Sequence, residues 1–116
     1  MIICAIDDLL FSIKIKDAAK HLGIELYFER SADRIVDTVR EKQPSLVIFD
    51  LNSARLSPMD AIRAIKADPA LAAVKTLGYV SHVDSATIAA ARQAGVDDVL
   101  ARSAFASSLA EILTTA

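Results

Sequence analysis

Residues 2–8 have the sequence IICAIDD, and residues 46–50 have the sequence LVIFD. Each is a short apolar run that ends directly in acid, with Asp7 and Asp8 after the first and Asp50 after the second. Such runs, rich in isoleucine and valine, are typical of strands buried on both faces of a parallel sheet. In an open α/β sheet the ligand crevice lies at the carboxyl ends of the strands, where the strand order reverses. If these strands are neighbours, three carboxylates meet there, and their repulsion favours a hard divalent cation such as Mg²⁺ between them.

The composition indicates one globular domain over residues 1–116. The chain is 53% hydrophobic and 24% charged, which argues against disorder, and its net charge of −2 with scattered Lys and Arg argues against nucleic-acid binding by electrostatics. No uncharged apolar stretch approaches the roughly 20 residues needed to cross a membrane. The single cysteine, Cys4, lies within an apolar strand. One cysteine excludes an internal disulfide framework and leaves a cytoplasmic location as the default expectation.

Strand and helix patterns alternate along the whole chain. The predicted strands are residues 2–6, 24–28, 46–50, 74–80 and 96–101. The first and last predicted helices are residues 9–22 and 105–113. Between them, the second helix is capped by Ser31 and ends before Pro44, the third is capped by Ser57 with Pro58 in its first turn, and the fourth begins at Asp84 or Ser85. Five β-α units imply a doubly wound α/β fold with helices on both faces of a parallel sheet. No linker interrupts them, so we expect a single domain.

This layout resembles the receiver domain of bacterial response regulators in two-component systems. The resemblance rests on Asp7-Asp8, Asp50 and the Ala94-Gly95 turn before the fifth strand, and it spans essentially the whole chain. It implies the flavodoxin-like (βα)5 fold with strand order 2-1-3-4-5, and a role in phosphorelay signal transduction. It also implies that Asp50 accepts a phosphoryl group from a histidine kinase, and that Mg²⁺ is held by Asp7, Asp8, Asp50 and the backbone carbonyl of Asn52. Such a cation would neutralise an anionic nucleophile that must approach an anionic phosphate.

Several positions depart from the family's pattern. The hydroxyl residue at the end of the fourth strand falls on Val80, which has no donor for a phosphate; Ser81 could substitute only if the strand end were shifted by one residue. The family's lysine falls on Arg102, which keeps a positive charge that can contact phosphate but is bulkier and forked. The switch aromatic of the fifth strand falls on Val99. The acids of the site are therefore retained, whereas the residues that would respond to its phosphorylation are not.

Three other polar residues are interpreted as structural and not as part of a functional site. Arg55, in the loop after Asp50, is interpreted as a solvated loop charge rather than an anion contact. His82 is interpreted as a loop residue or the start of a helix rather than a catalytic base, because nothing in the sequence pairs it with a nucleophile. His21 lies late in the first helix, where a cation is favourable to the helix dipole.

The sequence leaves three functions open. The first is a stand-alone, non-enzymatic receiver that is phosphorylated on Asp50 and acts by protein contact with a histidine kinase or a downstream effector. The second is a pseudo-receiver, an interaction module that works without phosphorylation, which Val80, Val99 and Arg102 together favour. In either case the resemblance implies an interaction face, or a homodimer contact, on the fourth helix, fifth strand and fifth helix.

The third function belongs to another class, a small Mg²⁺-dependent phosphatase or a flavin binder on the same topology. Two features argue against it. Asn52 stands where an aspartate-nucleophile hydrolase normally has a second acid. The first strand is followed by Asp7-Asp8-Leu9-Leu10 rather than by the hydroxyl- or glycine-rich loop that would bind the phosphate of a flavin. Because fold alone does not decide function, the site residues have to decide between the three.

Overall fold

The computed structural model describes residues 1–81 and 84–116 of the chain. His82, interpreted above as a loop residue or the start of a helix, lies outside the described residues. The strands are β1 (Ile2–Ala5), β2 (Leu26–Phe28), β3 (Leu46–Asp50), β4 (Lys75–Val80) and β5 (Asp98–Ala101). The helices are α1 (Leu9–Leu22), α2 (Ile35–Lys42), α3 (Pro58–Ala67), α4 (Ser85–Ala94), α5 (Arg102–Ser107) and α6 (Leu109–Thr115), with a short 3-10 helix (Ala32–Arg34) before α2. None of these helices is both long and apolar enough to span a membrane.

All strands pair in parallel in the order β2-β1-β3-β4-β5, which confirms the predicted flavodoxin-like topology. The two strands that carry the acids are neighbours at the centre of the sheet, with Ala5 of β1 beside Phe49 of β3. On the other side of β3, Asp50 is beside Tyr79 of β4. The carboxyl ends of β1, β3 and β4 therefore meet at one edge of the sheet.

The residues of β1 alternate between two hydrophobic cores. Ile3 and Ala5 pack in the core beneath α2, α3 and α4, whereas Ile2 and Cys4 pack in the core beneath α1, α5 and α6. The strand is buried on both faces, which explains why its sequence is continuously apolar instead of alternating with polar residues. Cys4 is fully buried, and this burial raises the pKa of its thiol to about 12.

Three strands begin later than the sequence pattern predicts, and β1 ends one residue earlier, at Ala5. We expected strands to begin at residues 24, 74 and 96, but they begin at Leu26, Lys75 and Asp98. The reason is clearest after the two glycine-terminated helices, where Ile24 donates its backbone N–H to Ala19 and Val96 donates its own to Ala91. These donors close the last turn of a helix, so they are not available for the sheet.

The predicted helix starts are partly wrong. The last helix was expected at residues 105–113, but helical structure begins at Arg102 and is interrupted at Ser108, which separates α5 from α6. Pro58 does open α3, yet Ser57 adopts a left-handed conformation with φ 45° and its side chain makes no capping bond. Ser31 precedes the 3-10 helix and likewise makes no side-chain cap. Asp84 does cap α4, because its carboxylate accepts hydrogen bonds from two backbone N–H groups of the first turn.

Candidate functional site

The three aspartates lie together at the carboxyl edge of the sheet, as the sequence predicts. Asp7 and Asp8 follow β1, and Asp50 is the last residue of the adjacent β3. Burial raises the pKa of Asp50, and the nearby negative charges of Asp8 and Asp7 raise it further. A hydrogen bond of 3.0 Å from the backbone N–H of Asn52 to Asp50 Oδ1 opposes this rise. A raised pKa is the expected result when a carboxylate is partly buried and other carboxylates lie nearby.

Arg55 binds Asp7 through two hydrogen bonds. Its Nε donates to Asp7 Oδ2 at 2.8 Å and its Nη2 donates to Asp7 Oδ1 at 2.7 Å, the paired geometry in which guanidinium and carboxylate interact most strongly. The hydrogen bonds from Arg55 lower the pKa of Asp7. The interpretation of Arg55 as a solvated loop charge is therefore wrong. Its side chain is 59% exposed, but its charge is directed at the acid site, because the turn after β3 brings it over the end of β1.

Arg102 binds the second acid. Its Nη2 donates to Asp8 Oδ2 at 2.7 Å, while Asp8 Oδ1 accepts a bond from the backbone N–H of Phe11 and so caps α1. The guanidinium carbon also lies 4.5 Å from the centre of the Phe11 ring, a cation–π contact. In this structure Arg102 joins α5 to the start of α1 through Asp8, and its predicted contact with a phosphate stays a prediction.

Three buried aromatic rings pack against one another next to Arg102. Tyr79 and Phe105 are stacked with their ring centres 5.2 Å apart, and Phe11 lies 5.0 Å from Tyr79. Burial raises the pKa of the Tyr79 hydroxyl, and the charge of the neighbouring Asp50 adds to this effect. Within the described part of the chain this hydroxyl has no hydrogen-bond partner. The cluster fixes the Phe11 ring, and with it the surface on which the Arg102 guanidinium rests.

The positions expected to respond to a phosphate either carry apolar side chains or have a backbone N–H that already donates a hydrogen bond within the protein. Val80 is only 3% exposed and packs in the core beneath α2, α3 and α4, against which the half-buried Val99 also packs. Ser81 is exposed, and its backbone N–H donates to the side-chain Oδ1 of Asn52 at 2.7 Å. Asn52 thus connects the ends of β3 and β4 through its amide group. Its predicted role as a carbonyl ligand stays a prediction.

Similarity to solved structures places this geometry within a known fold. A response regulator from Hahella chejuensis superposes with a TM-score of 0.86 at 15% identity, covering 97% of this chain and 91% of that chain. The Mn²⁺-bound form of response regulator Rcp1 gives 0.82 at 17% identity, covering 99% and 95%. The phosphorylated cyanobacterial phytochrome response regulator RcpA gives 0.80 at 20% identity, covering 98% and 88%. The chain has the receiver-domain fold. No family model and no curated protein matches the sequence.

Within this receiver fold, the acid site does not have the arrangement of a cation site. In residues 1–81 and 84–116, no three Asp, Glu, His or Cys side chains are placed so that they could hold a metal ion together. The donor chemistry suits Mg²⁺, which prefers carboxylate oxygens. However, both oxygens of Asp7 and both oxygens of Asp8 accept hydrogen bonds from the protein itself. In this arrangement the residues do not fit the cation, and the Mg²⁺ site predicted from Asp7, Asp8, Asp50 and Asn52 stays a prediction.

The sequence-based prediction of the receiver site missed the arginine partners of Asp7 and Asp8. Arg55 stands five residues after Asp50, and a count of charges could have found it, because three carboxylates at one edge need positive charge from somewhere. For Arg102 the position was identified but not the partner. The guanidinium of Arg102, at the start of α5, reaches the N-terminal end of α1 because both helices pack on the same face of the sheet. This proximity is a feature of the tertiary structure and cannot be read from the local sequence.

Proposed function

We propose that the chain is a receiver-like signalling module that acts by protein contact, is not an enzyme, and does not depend on phosphorylation of Asp50. The observation that carries this proposal is the buried Val80 at the end of β4, directly after the residue that pairs with Asp50. A receiver that responds to phosphate needs a donor at this position to bind the phosphoryl group, and a valine side chain has none. Because Val80 is already packed in the core, a movement toward Asp50 would also expose apolar surface.

The class of function is supported by the similar structures, which are response regulators and a receiver domain of a signal transduction histidine kinase. Such domains act on other proteins, so the proposed partner is a kinase or an effector protein. The proposed contact surface is the face formed by α4, β5 and α5, which would bind that partner or a second copy of the chain. Val99 lies in this face, is half-buried and packs against the core. A partner bound to this face would therefore contact a packed aliphatic side chain, where the family has an aromatic ring that moves on phosphorylation.

A second candidate is the phosphorylated receiver, and Asp50 itself favours it. Its carboxylate lies at the mouth of the site, half-buried, and in the described part of the chain it accepts one hydrogen bond, from Asn52, and forms no ion pair. A carboxylate in this position can act as a nucleophile toward an activated phosphoryl group. This candidate requires the two arginine–aspartate pairs beside Asp50 to open before anionic phosphate and a cation can enter.

The two candidates can be separated by NMR. A ¹⁵N-labelled chain is titrated with Mg²⁺ and then with beryllofluoride, with Asp50→Ala as the matched control and a conventional response regulator treated in parallel. We expect no beryllofluoride-dependent shifts in α4, β5 and α5. Shifts that spread from Asp50 into these elements in the wild type, and that are absent in Asp50→Ala, would contradict the proposal and establish the phosphorylated receiver.

A further inference from the structure

We infer that Arg55 and Arg102 replace the divalent cation of the acid site, so that the native chain binds no Mg²⁺ there. The inference concerns the resting state of Asp7, Asp8 and Asp50 and does not depend on whether Asp50 is ever phosphorylated. Arg55 bonds both oxygens of Asp7, and Arg102 bonds one oxygen of Asp8, all at 2.7–2.8 Å. These are short, charge-assisted hydrogen bonds made directly to two of the three carboxylates.

The two arginines leave the same net charge at the acid site as a divalent metal ion would. Two guanidinium groups carry the same total positive charge as one divalent cation, and arginine stays protonated at every pH at which the domain is folded. The three carboxylates are therefore left with the same residual charge in either case. A divalent cation added to the closed site would approach two fixed positive groups, so it would gain far less than at three bare carboxylates.

The oxygen atoms that a cation would need are also already used. Asp8 is the N-cap of α1 through its Oδ1, and its Oδ2 is held by Arg102. Mg²⁺ accepts only a narrow range of distances and geometries and loses its water reluctantly. To reach Asp7 and Asp8 it would have to displace three hydrogen bonds from arginine, with only Asp50 available without such a displacement.

The two arginines differ in the number of contacts that hold their side chains, and this difference makes the inference testable. Arg102 is fixed at three points, by its backbone at the start of α5, by Asp8 and by the Phe11 ring. Arg55 lies in the turn between β3 and α3, is largely exposed, and its side chain is bound through Asp7. Removing Arg55 should therefore leave the fold intact while freeing one complete carboxylate. Removing both arginines should free the whole acid set.

The experiment measures cation binding to the intact chain in four forms. These are the wild type, Arg55→Ala, Arg55→Ala/Arg102→Ala, and the control Arg63→Ala. Arg63 is equally exposed and forms a similar 2.7 Å ion pair with Asp60 on α3, outside the acid site. Binding is followed by the Mg²⁺ dependence of the thermal unfolding midpoint and by the broadening of amide resonances on addition of Mn²⁺.

We expect no saturable response from the wild type or from Arg63→Ala. The double variant should bind at least about tenfold more tightly than the wild type, with broadening centred on residues 7, 8, 50 and 52, and Asp50→Asn added to it should abolish the gain. If the double variant does not fold, Arg55→Ala alone should show a smaller gain at the same amides. Saturable Mg²⁺ binding by the wild type would overturn the inference, and so would folded arginine variants that gain no affinity. Neither result bears on the Val80 argument for function.

Discussion

At the amino end of the sheet one carboxylate, Asp97, accepts three hydrogen bonds, whereas at the carboxyl end two arginines bind only two of three aspartates. Asp97 Oδ2 accepts hydrogen bonds from Lys66 Nζ and the Thr76 N–H, both at 2.8 Å, and from the Thr76 hydroxyl at 3.0 Å. Lys66 also donates to two backbone carbonyls, and Thr76 is fully buried. This network joins α3, β4 and the start of β5.

At the carboxyl end the cationic side chains are more exposed than Lys66, and the charges are less balanced. The side chains of Arg55 and Arg102 are 59% and 38% exposed, and in the described part of the chain Asp50 forms no ion pair. Burial and its two acidic neighbours raise the pKa of Asp50, whereas hydrogen bonds from Lys66 and Thr76 lower the pKa of Asp97 against the effect of its partial burial. One end of the sheet therefore uses its carboxylate for stability, and the other retains a carboxylate at some cost in stability, which is typical of a functional site.

The largest effect on stability is expected from Asp97→Ala. It leaves the backbone N–H and the hydroxyl of the buried Thr76 without their acceptor and removes the carboxylate partner of Lys66, so the free energy of unfolding should fall by about 1–3 kcal/mol. Urea denaturation measures the change. The control is Asp98→Ala, because the neighbouring Asp98–Lys75 pair is exposed and 3.8 Å long and should contribute almost nothing. Equal losses in the two variants would show that the amino-end network is not the stabilising feature described above.

Arg102→Ala should have the next largest effect. It removes the ion pair to Asp8 and the contact with the Phe11 ring, both partly shielded from water, and should cost about 1 kcal/mol. The same denaturation experiment applies, with Arg63→Ala as the matched exposed pair. If the two substitutions were equivalent, Arg102 would be an ordinary surface charge and not part of the acid site.

Asp50→Asn should stabilise the domain, by less than Arg102→Ala destabilises it. The amide oxygen can still accept the N–H of Asn52, while the unfavourable charge is removed. Because folding raises the pKa of Asp50, the folded state binds more protons and the wild type loses stability as the pH rises through that raised pKa. The gain should therefore be present at neutral pH and disappear below the ordinary pKa of an aspartate. Thermal unfolding of both chains across this pH range provides the check, and a destabilised Asp50→Asn would contradict it.

The smallest effect is expected from Arg55→Ala, because the pair that it breaks is exposed. Folding lowers the pKa of Asp7 through Arg55, so this pair contributes stability above the ordinary pKa of an aspartate and loses it as the pH falls through the lowered value. A slight decrease in the unfolding midpoint at neutral pH should therefore fade in acid. A decrease of the same size at both pH values would mean that Arg55 acts through packing instead of charge.

Local patterns were sufficient to predict the alternating strands and helices and to place each acid at the end of a strand. The apolar runs that end in Asp7-Asp8 and Asp50 depend only on neighbouring residues, and the strand order followed from their resemblance to the receiver domain. The start of the last helix could not be found this way, because Arg102 begins α5 where a bond to Asp8, distant in sequence, holds it. The pairing of Arg55 with Asp7 was missed for the same reason. Both depend on side chains that meet only after the sheet has formed.

The arginine-for-cation substitution is tested most directly by a crystal structure of the wild-type chain grown in millimolar Mg²⁺. We predict that Arg55 remains bound to both oxygens of Asp7, that Arg102 remains bound to Asp8, and that no cation lies between the carboxylates. A Mg²⁺ ion coordinated by Asp7, Asp8 and Asp50, with both guanidinium groups displaced, would contradict this prediction.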